Sequence, residues 1–159
     1  KTVLQDFSTS MEQKFPQTTT LVLDANFPFI SGFPLLPHLS HNDGRKVALA
    51  FFSESDGKFL PGATRSPIGY FAFEDGPTDC PDNTLTLRWN FAWLQRFWPD
   101  YHLEPRRMKT ALQLLSDDER VGKVFIEPHL KSRFQAQNSK IRFQGCRAAR
   151  HDDHIHLQL

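Results

Sequence analysis

The stretch that decides the fold is the last nine residues, His151-Asp152-Asp153-His154-Ile155-His156-Leu157-Gln158-Leu159. Its histidines run into an apolar segment that predicts a buried strand over residues 154–159. Side chains two positions apart on a strand point to the same face. We therefore expect His154 and His156 to point into one cleft.

A second cluster of histidines lies near the other end of the chain, in the segment His38-Leu39-Ser40-His41-Asn42-Asp43-Gly44-Arg45-Lys46-Val47-Ala48. It leads into residues 46–53, which predict another strand. The two segments together hold five of the seven histidines. A single histidine beside an apolar face is most often a packing residue. Five at this spacing indicate a metal site that the fold assembles.

The rest of the chain predicts a mixture of helices and strands. Helical periodicity and capping signals favour helices at residues 1–15, 84–97, 105–115 and 128–137. Strands are expected at residues 18–24, 46–53, 121–127, 141–143 and 154–159. Because these elements show no regular β-α-β alternation, we expect an α+β fold. Residues 1–159 should form a single domain with a mainly antiparallel central sheet flanked by helices.

The middle of the chain contains a long connection, residues 55–83, that is rich in glycine and proline. Connections of this length within a compact domain are usually functional or disordered. The aromatic residues Tyr70, Phe71 and Phe73 favour an ordered flap on the substrate side. In the helix expected after it, the residues predicted to face the core are Leu85, Trp89, Trp93 and Leu94.

Charge and hydropathy argue against a general nucleic-acid-binding protein and against a membrane-spanning helix. A net charge of +1 and a pI near 8.0 argue against a general nucleic-acid-binding protein. No apolar run approaches the ~20 residues of a membrane-spanning helix. Cys80 and Cys146 allow one intramolecular pairing, which is expected if the protein is exported, whereas both thiols would be free in the cytosol.

The two histidine motifs carry a resemblance to a known superfamily. His41 with residues 42–47 after it, and a closing strand with His154-Ile155-His156, resemble the zinc peptidases of the lysostaphin, D-Ala-D-Ala metallopeptidase and hedgehog superfamily. His38 and the closing His-x-x-His-x-His pattern are most similar to penicillin-insensitive murein endopeptidases. Residues 118–131 also resemble that family's strand leading into its last helix.

The resemblance implies a periplasmic or secreted zinc metallopeptidase that hydrolyses peptidoglycan stem-peptide or cross-link amide bonds. Zinc would be held by His41 and His156, and His154 would act as the base or stabilise charge. Asp153 is the competing candidate for the base, although strand alternation predicts that it points away from His154. The residues expected to flank the site or contact substrate are His38, His151 and Arg45.

One position departs from the family pattern. The first motif is His, six residues and then an Asp that binds zinc, which falls at position 48, and this chain has Ala48 there. The resemblance therefore implies a chain with impaired catalysis. The loss is explained either by a substitution made to inactivate the enzyme or by natural decay. The alternative function is a non-catalytic pseudoenzyme that binds peptidoglycan or peptides.

Overall fold

The computed structural model describes residues 2–25, 44–78, 80–81 and 88–159. The described part contains three α-helices, α1 to α3, at Val3–Lys14, Pro105–Asp117 and Pro128–Arg133, and a 3-10 helix at Ala92–Phe97. Its strands, β1 to β8 in chain order, are Val22–Asp24, Lys46–Ala50, Ser53–Ser55, Lys58–Phe59, His102–Leu103, Lys123–Phe125, Ile141–Arg142 and His154–Gln158.

The strands form two sheets. The larger sheet has the order β1-β2-β8-β6-β7, and the smaller has the order β4-β3-β5. All described pairings are antiparallel except β6 with β7. The prediction of an α+β fold with a mainly antiparallel sheet is confirmed. Because β8 is the central strand of the larger sheet, its histidines lie in the middle of the sheet.

The pairing of β2 with β8 separates an apolar face from a histidine face. Val47 pairs with Leu157 and Leu49 pairs with Ile155, and all four are buried in the hydrophobic core. Helices α1 and α2 contribute Phe7, Met11, Met108, Leu112 and Leu115 to the same core. On the opposite face the alternating positions are Ala48, Ala50, His154 and His156.

Two of the predicted helices begin at well-formed caps. In α1, the Thr2 hydroxyl accepts a hydrogen bond from the Gln5 N–H, and the Gln5 side chain accepts one from the Thr2 N–H. In α2, the Glu104 carboxylate accepts from the N–H groups of Arg106 and Arg107, at 3.1 and 2.7 Å. The helices predicted at residues 1–15, 105–115 and 128–137 are confirmed, although α3 is shorter than expected.

The helix predicted over residues 84–97 is wrong in the part that the structure describes. Residues 88–91 are not helical, and only Ala92–Phe97 forms a short 3-10 helix. The N–H of Phe91 donates to the carbonyl of Tyr70 at 2.8 Å, so this segment is bonded to the preceding loop. Trp93, predicted to face the core, is 59% exposed. Leu85 lies outside the described residues.

A disulfide links Cys80 to Cys146, with their Cα atoms 5.2 Å apart. It connects the long middle segment to the chain that leads into β8, which is the one intramolecular pairing that the sequence allowed. Among the described helices, none has both the length and the apolar character required to cross a membrane.

Candidate metal centre

Three buried histidines meet on one face of the larger sheet. They are His151, His154 and His156, with relative exposures of 2%, 0% and 3%. One ring nitrogen from each lies within 4.8 Å of those of the other two. The ring centroid of His151 is 5.1 Å from that of His154 and 5.2 Å from that of His156. This group, here called the His cluster, could hold a metal ion.

The sheet positions two members of the His cluster. His154 pairs with Ala50 and His156 pairs with Ala48, and the two alanines are too small to cover the imidazoles. Phe125 of β6 pairs with His156 on the other side, with its ring centroid 5.6 Å away. The two histidines share a face because they are two residues apart on one strand, as predicted.

His151 precedes β8 and is held by Glu127. The His151 N–H donates to the Glu127 carboxylate at 3.2 Å, and the Glu127 N–H donates to the His151 carbonyl at 3.1 Å. Glu127 is only 1% exposed, and its carboxylate also binds the Arg88 guanidinium through two nitrogens, at 2.9 and 3.3 Å. The buried ion pair therefore positions the backbone of a cluster histidine.

Asp153 contacts the His cluster directly. Its Oδ1 lies 2.6 Å from Nδ1 of His154, and its Oδ2 accepts a hydrogen bond from the Ser66 hydroxyl at 2.9 Å. The prediction that Asp153 points away from His154 is wrong. Residue 153 lies in the bend before β8, so the alternation of strand side chains does not apply to it.

The Asp153–His154 contact assigns different roles to the two ring nitrogens of His154. If Nδ1–H donates to the carboxylate, Nε2 carries the lone pair. Such an Nε2 can accept a proton or bind a metal ion, and a carboxylate behind the ring fixes the orientation of the imidazole in either role. Ser66 holds the carboxylate from its other oxygen, which restricts its rotation.

Tyr70 brings the long middle segment to the His cluster. Its side chain is 2% exposed, and its ring meets the His154 ring edge-on with centroids 5.8 Å apart. Its φ of 66° is rare for an aromatic residue, and such strained backbone is common at functional sites. Burial, followed by the charges of Asp153 and Asp24, raises the pKa of the Tyr70 phenol. The phenol therefore stays protonated at neutral pH and can donate a hydrogen bond.

Asp152 ties the same middle segment to the start of β8. Its carbonyl accepts from the Glu74 N–H at 2.7 Å, and its carboxylate pairs with both Nε and a terminal nitrogen of Arg150. Burial raises the pKa of the Asp152 carboxyl, and the Arg150 guanidinium opposes that increase. Arg150 also stacks on the Phe73 ring, 3.7 Å from its centroid. The described part of the middle segment thus packs against the residues that precede β8, through Glu74 and Phe73.

The remaining predicted site residues have different outcomes. Ala48 is fully buried and lies directly opposite His156. A carboxylate at position 48 would therefore lie beside the His156 imidazole. Arg45 is exposed, and its carbonyl accepts a hydrogen bond from the Leu159 N–H at 2.8 Å. The predicted ligand His41 and the flanking His38 lie outside the described residues.

Sequence reasoning missed Ser66 and Glu127, and it named Tyr70 only as one of the aromatic residues of a flap on the substrate side. Glu127 carried a usable signal, because an acidic residue before Pro128 is typical of a helix start. Ser66 carried no local signal, since it comes near the histidines only through the path of the loop. Nothing in spacing or periodicity joins residue 66 to residue 153.

The donor chemistry of the His cluster suits a divalent metal. Neutral imidazole is a common ligand of zinc and of other first-row transition metals. In a tetrahedral zinc site the nitrogen ligands lie about 3.4 Å apart. One ring nitrogen of each histidine already lies within 4.8 Å of the corresponding nitrogens of the other two. Only small side-chain movements are therefore needed for the three nitrogens to surround an ion.

Comparisons with models of protein families and with curated protein sequences found no match to this chain. The resemblance to murein endopeptidases therefore depends on the motif residues alone.

Proposed function

We propose that this chain is a zinc-dependent hydrolase of amide bonds whose substrates are the stem peptides or cross-links of peptidoglycan. The observation that carries the proposal is the buried His cluster with the Asp153 carboxylate on Nδ1 of His154. A cluster of this composition, at the centre of a rigid sheet, suits metal-assisted hydrolysis.

Within this proposal His156, His154, Asp153 and Tyr70 have different roles. A bound zinc ion supplies Lewis-acid polarisation of the substrate carbonyl and activation of water. His156 is a ligand, with His41 as the second ligand expected from the resemblance. His154 moves a proton through Nε2, while Asp153 orients its ring and stabilises its charged form. Tyr70 donates a hydrogen bond to charge that develops beside His154.

The substrate class and location have separate support. Peptidoglycan is favoured by the resemblance of the His41 and His154-Ile155-His156 motifs to murein endopeptidases. A periplasmic or secreted location is favoured by the disulfide between Cys80 and Cys146, because such bonds persist in oxidising compartments.

A second candidate function is binding of peptidoglycan peptides without hydrolysis. It is favoured by Ala48, because that position lies beside His156 and offers no carboxylate to a metal. An anionic ligand offsets part of the charge of a zinc ion, so its absence weakens binding and changes the acidity of an activated water.

The two candidates are separated by testing purified muropeptides with the chain as it stands and with Ala48→Asp. We expect zinc-dependent release of peptide fragments, measured by mass spectrometry, with faster release by Ala48→Asp and none after chelation. Ala92→Asp, which adds the same charge at an exposed position, is the matched control and should not accelerate release. Muropeptide binding without cleavage by either protein, at any pH from mildly acidic to neutral, would favour the pseudoenzyme.

A further inference from the structure

A shift of register in the edge strand, of the kind that a β-bulge produces, places an acidic residue opposite the histidine face of the sheet. In the pairing of β1 with β2, Val22 lies opposite Leu49, but Asp24 lies opposite Ala48. Two steps along β1 therefore match one step along β2. In a regular ladder Asp24 would pair with Val47, whose side chain belongs to the apolar core. The shift instead places Asp24 in register with the histidine face.

The register defines a row of side chains across the sheet. Asp24 lies opposite Ala48, and Ala48 lies opposite His156. Directly opposed residues of adjacent strands share a face. Asp24 and His156 are thus separated by two strand spacings, about 10 Å, and in the register of these three strands the residue between them is Ala48. Zinc–oxygen and zinc–nitrogen bonds of about 2 Å each span about 4 Å of this gap, which leaves about 6 Å for the two side chains.

We propose that Asp24 is the carboxylate ligand of the metal site, replacing the aspartate that the peptidase pattern expects at position 48. The inference deepens the proposed function, since it concerns the metal that the same site would bind. The site then keeps one anionic ligand, delivered from the neighbouring strand across a small residue. Ala48 is part of this arrangement, because a larger side chain there would stand between Asp24 and His156.

Electrostatic contacts support the placement of Asp24. Burial raises the pKa of its carboxyl, and the backbone hydrogen bond at Ala25 and the charge of His154 oppose the increase. The charges of Asp24 and Asp153 both act on the Tyr70 phenol. Asp24 is therefore within electrostatic reach of the same two rings, His154 and Tyr70, that border the His cluster.

The test is a zinc titration that needs no enzymatic activity. Affinity is measured by competition with a chromogenic chelator, and the cobalt-substituted protein is examined by its visible absorption. We expect Asp24→Asn, which keeps the shape of the side chain, to weaken zinc binding by at least ~10-fold and to alter the cobalt spectrum. The matched control is Asp56→Asn in the exposed β3–β4 turn, where the φ of 51° suits asparagine. It should leave both readouts unchanged.

A double substitution adds a gain of function to this test. Ala48→Asp should strengthen zinc binding more in the Asp24→Asn background than in the unmodified chain, because the two carboxylates replace one another. Circular dichroism and thermal unfolding without metal establish that each variant is folded. Equal zinc affinity for Asp24→Asn and the unmodified chain would overturn the inference and leave the proposed function standing. Absence of zinc binding by both the unmodified chain and Ala48→Asp would instead remove the proposed function.

Discussion

At the scale of single residues, the pair of Asp153 and His154 carries most of the proposed chemistry. Asp153 is fixed by two partners, the Ser66 hydroxyl and Nδ1 of His154. A carboxylate held in this way fixes the tautomer and orientation of the imidazole, and thus the availability of Nε2. The two residues that were the alternative candidates for the base are therefore in direct contact, and in the proposed mechanism they act together.

Substitution of this pair separates proton transfer from metal binding. In the Ala48→Asp background, His154→Ala should retain zinc but lose ~10²–10⁴-fold in turnover, because it removes the proton-transfer group. Asp153→Ala should lose less, since the imidazole remains. His156→Ala should lose zinc and activity together. Metal content by mass spectrometry and the rate of muropeptide cleavage are measured for each variant. Release of zinc by His154→Ala would make His154 a ligand, and a larger loss for Asp153→Ala would make Asp153 the base.

At the scale of elements, the start of α3 and the start of β8 are joined through Glu127. One side chain accepts hydrogen bonds from the Arg88 guanidinium and from the His151 backbone. The position of His151 in the His cluster therefore depends on a residue from a different element.

Removal of the Glu127 carboxylate should destabilise the protein strongly. Glu127→Ala takes the carboxylate from the buried Arg88 guanidinium, which typically costs about 3–5 kcal/mol. Glu127→Gln retains an acceptor and should cost less. The free energy of unfolding is obtained from urea titrations. Glu119→Ala, at an exposed position in the same part of the chain, is the control and should stay within ~0.5 kcal/mol. A loss for Glu127→Ala as small as that of the control would contradict this role.

At the scale of the whole molecule, the disulfide connects segments that lie 66 residues apart in sequence. It joins the middle segment, which carries Tyr70 and Ser66, to the chain that enters β8. Two segments that contribute to the candidate metal centre are thus joined by a covalent bond.

Reduction of this disulfide should lower the free energy of unfolding by ~2–4 kcal/mol, because the reduced unfolded chain gains conformational freedom. The comparison is between oxidised protein and the Cys80→Ser/Cys146→Ser double variant in urea. Both thiols should resist alkylation until a reductant is added. Free thiols in protein isolated from an oxidising compartment would contradict both the bridge and the support that it gives to an exported location.

The sequence alone was sufficient for features that depend on local periodicity. The apolar pattern before Pro16 predicted α1, and the strand pattern of residues 154–159 predicted β8. The shared face of His154 and His156 followed from strand geometry. The departure of Ala48 from the zinc-binding pattern was also visible without coordinates. The two elements and the shared face depend on neighbours within a few positions, where backbone geometry relates sequence spacing directly to direction, whereas the departure of Ala48 is defined only by the resemblance to the zinc peptidases.

Tertiary structure decided the features that join distant parts of the chain. Residues 88–91 of a predicted helix are not helical, and the Phe91 N–H donates instead to the carbonyl of Tyr70, a partner that local spacing does not indicate. The bend at Asp153 turned that residue to His154, and the register shift in β1 placed Asp24 opposite Ala48. These positions follow from strand register and loop path, which are set by packing of the whole chain and not by the spacing of nearby residues.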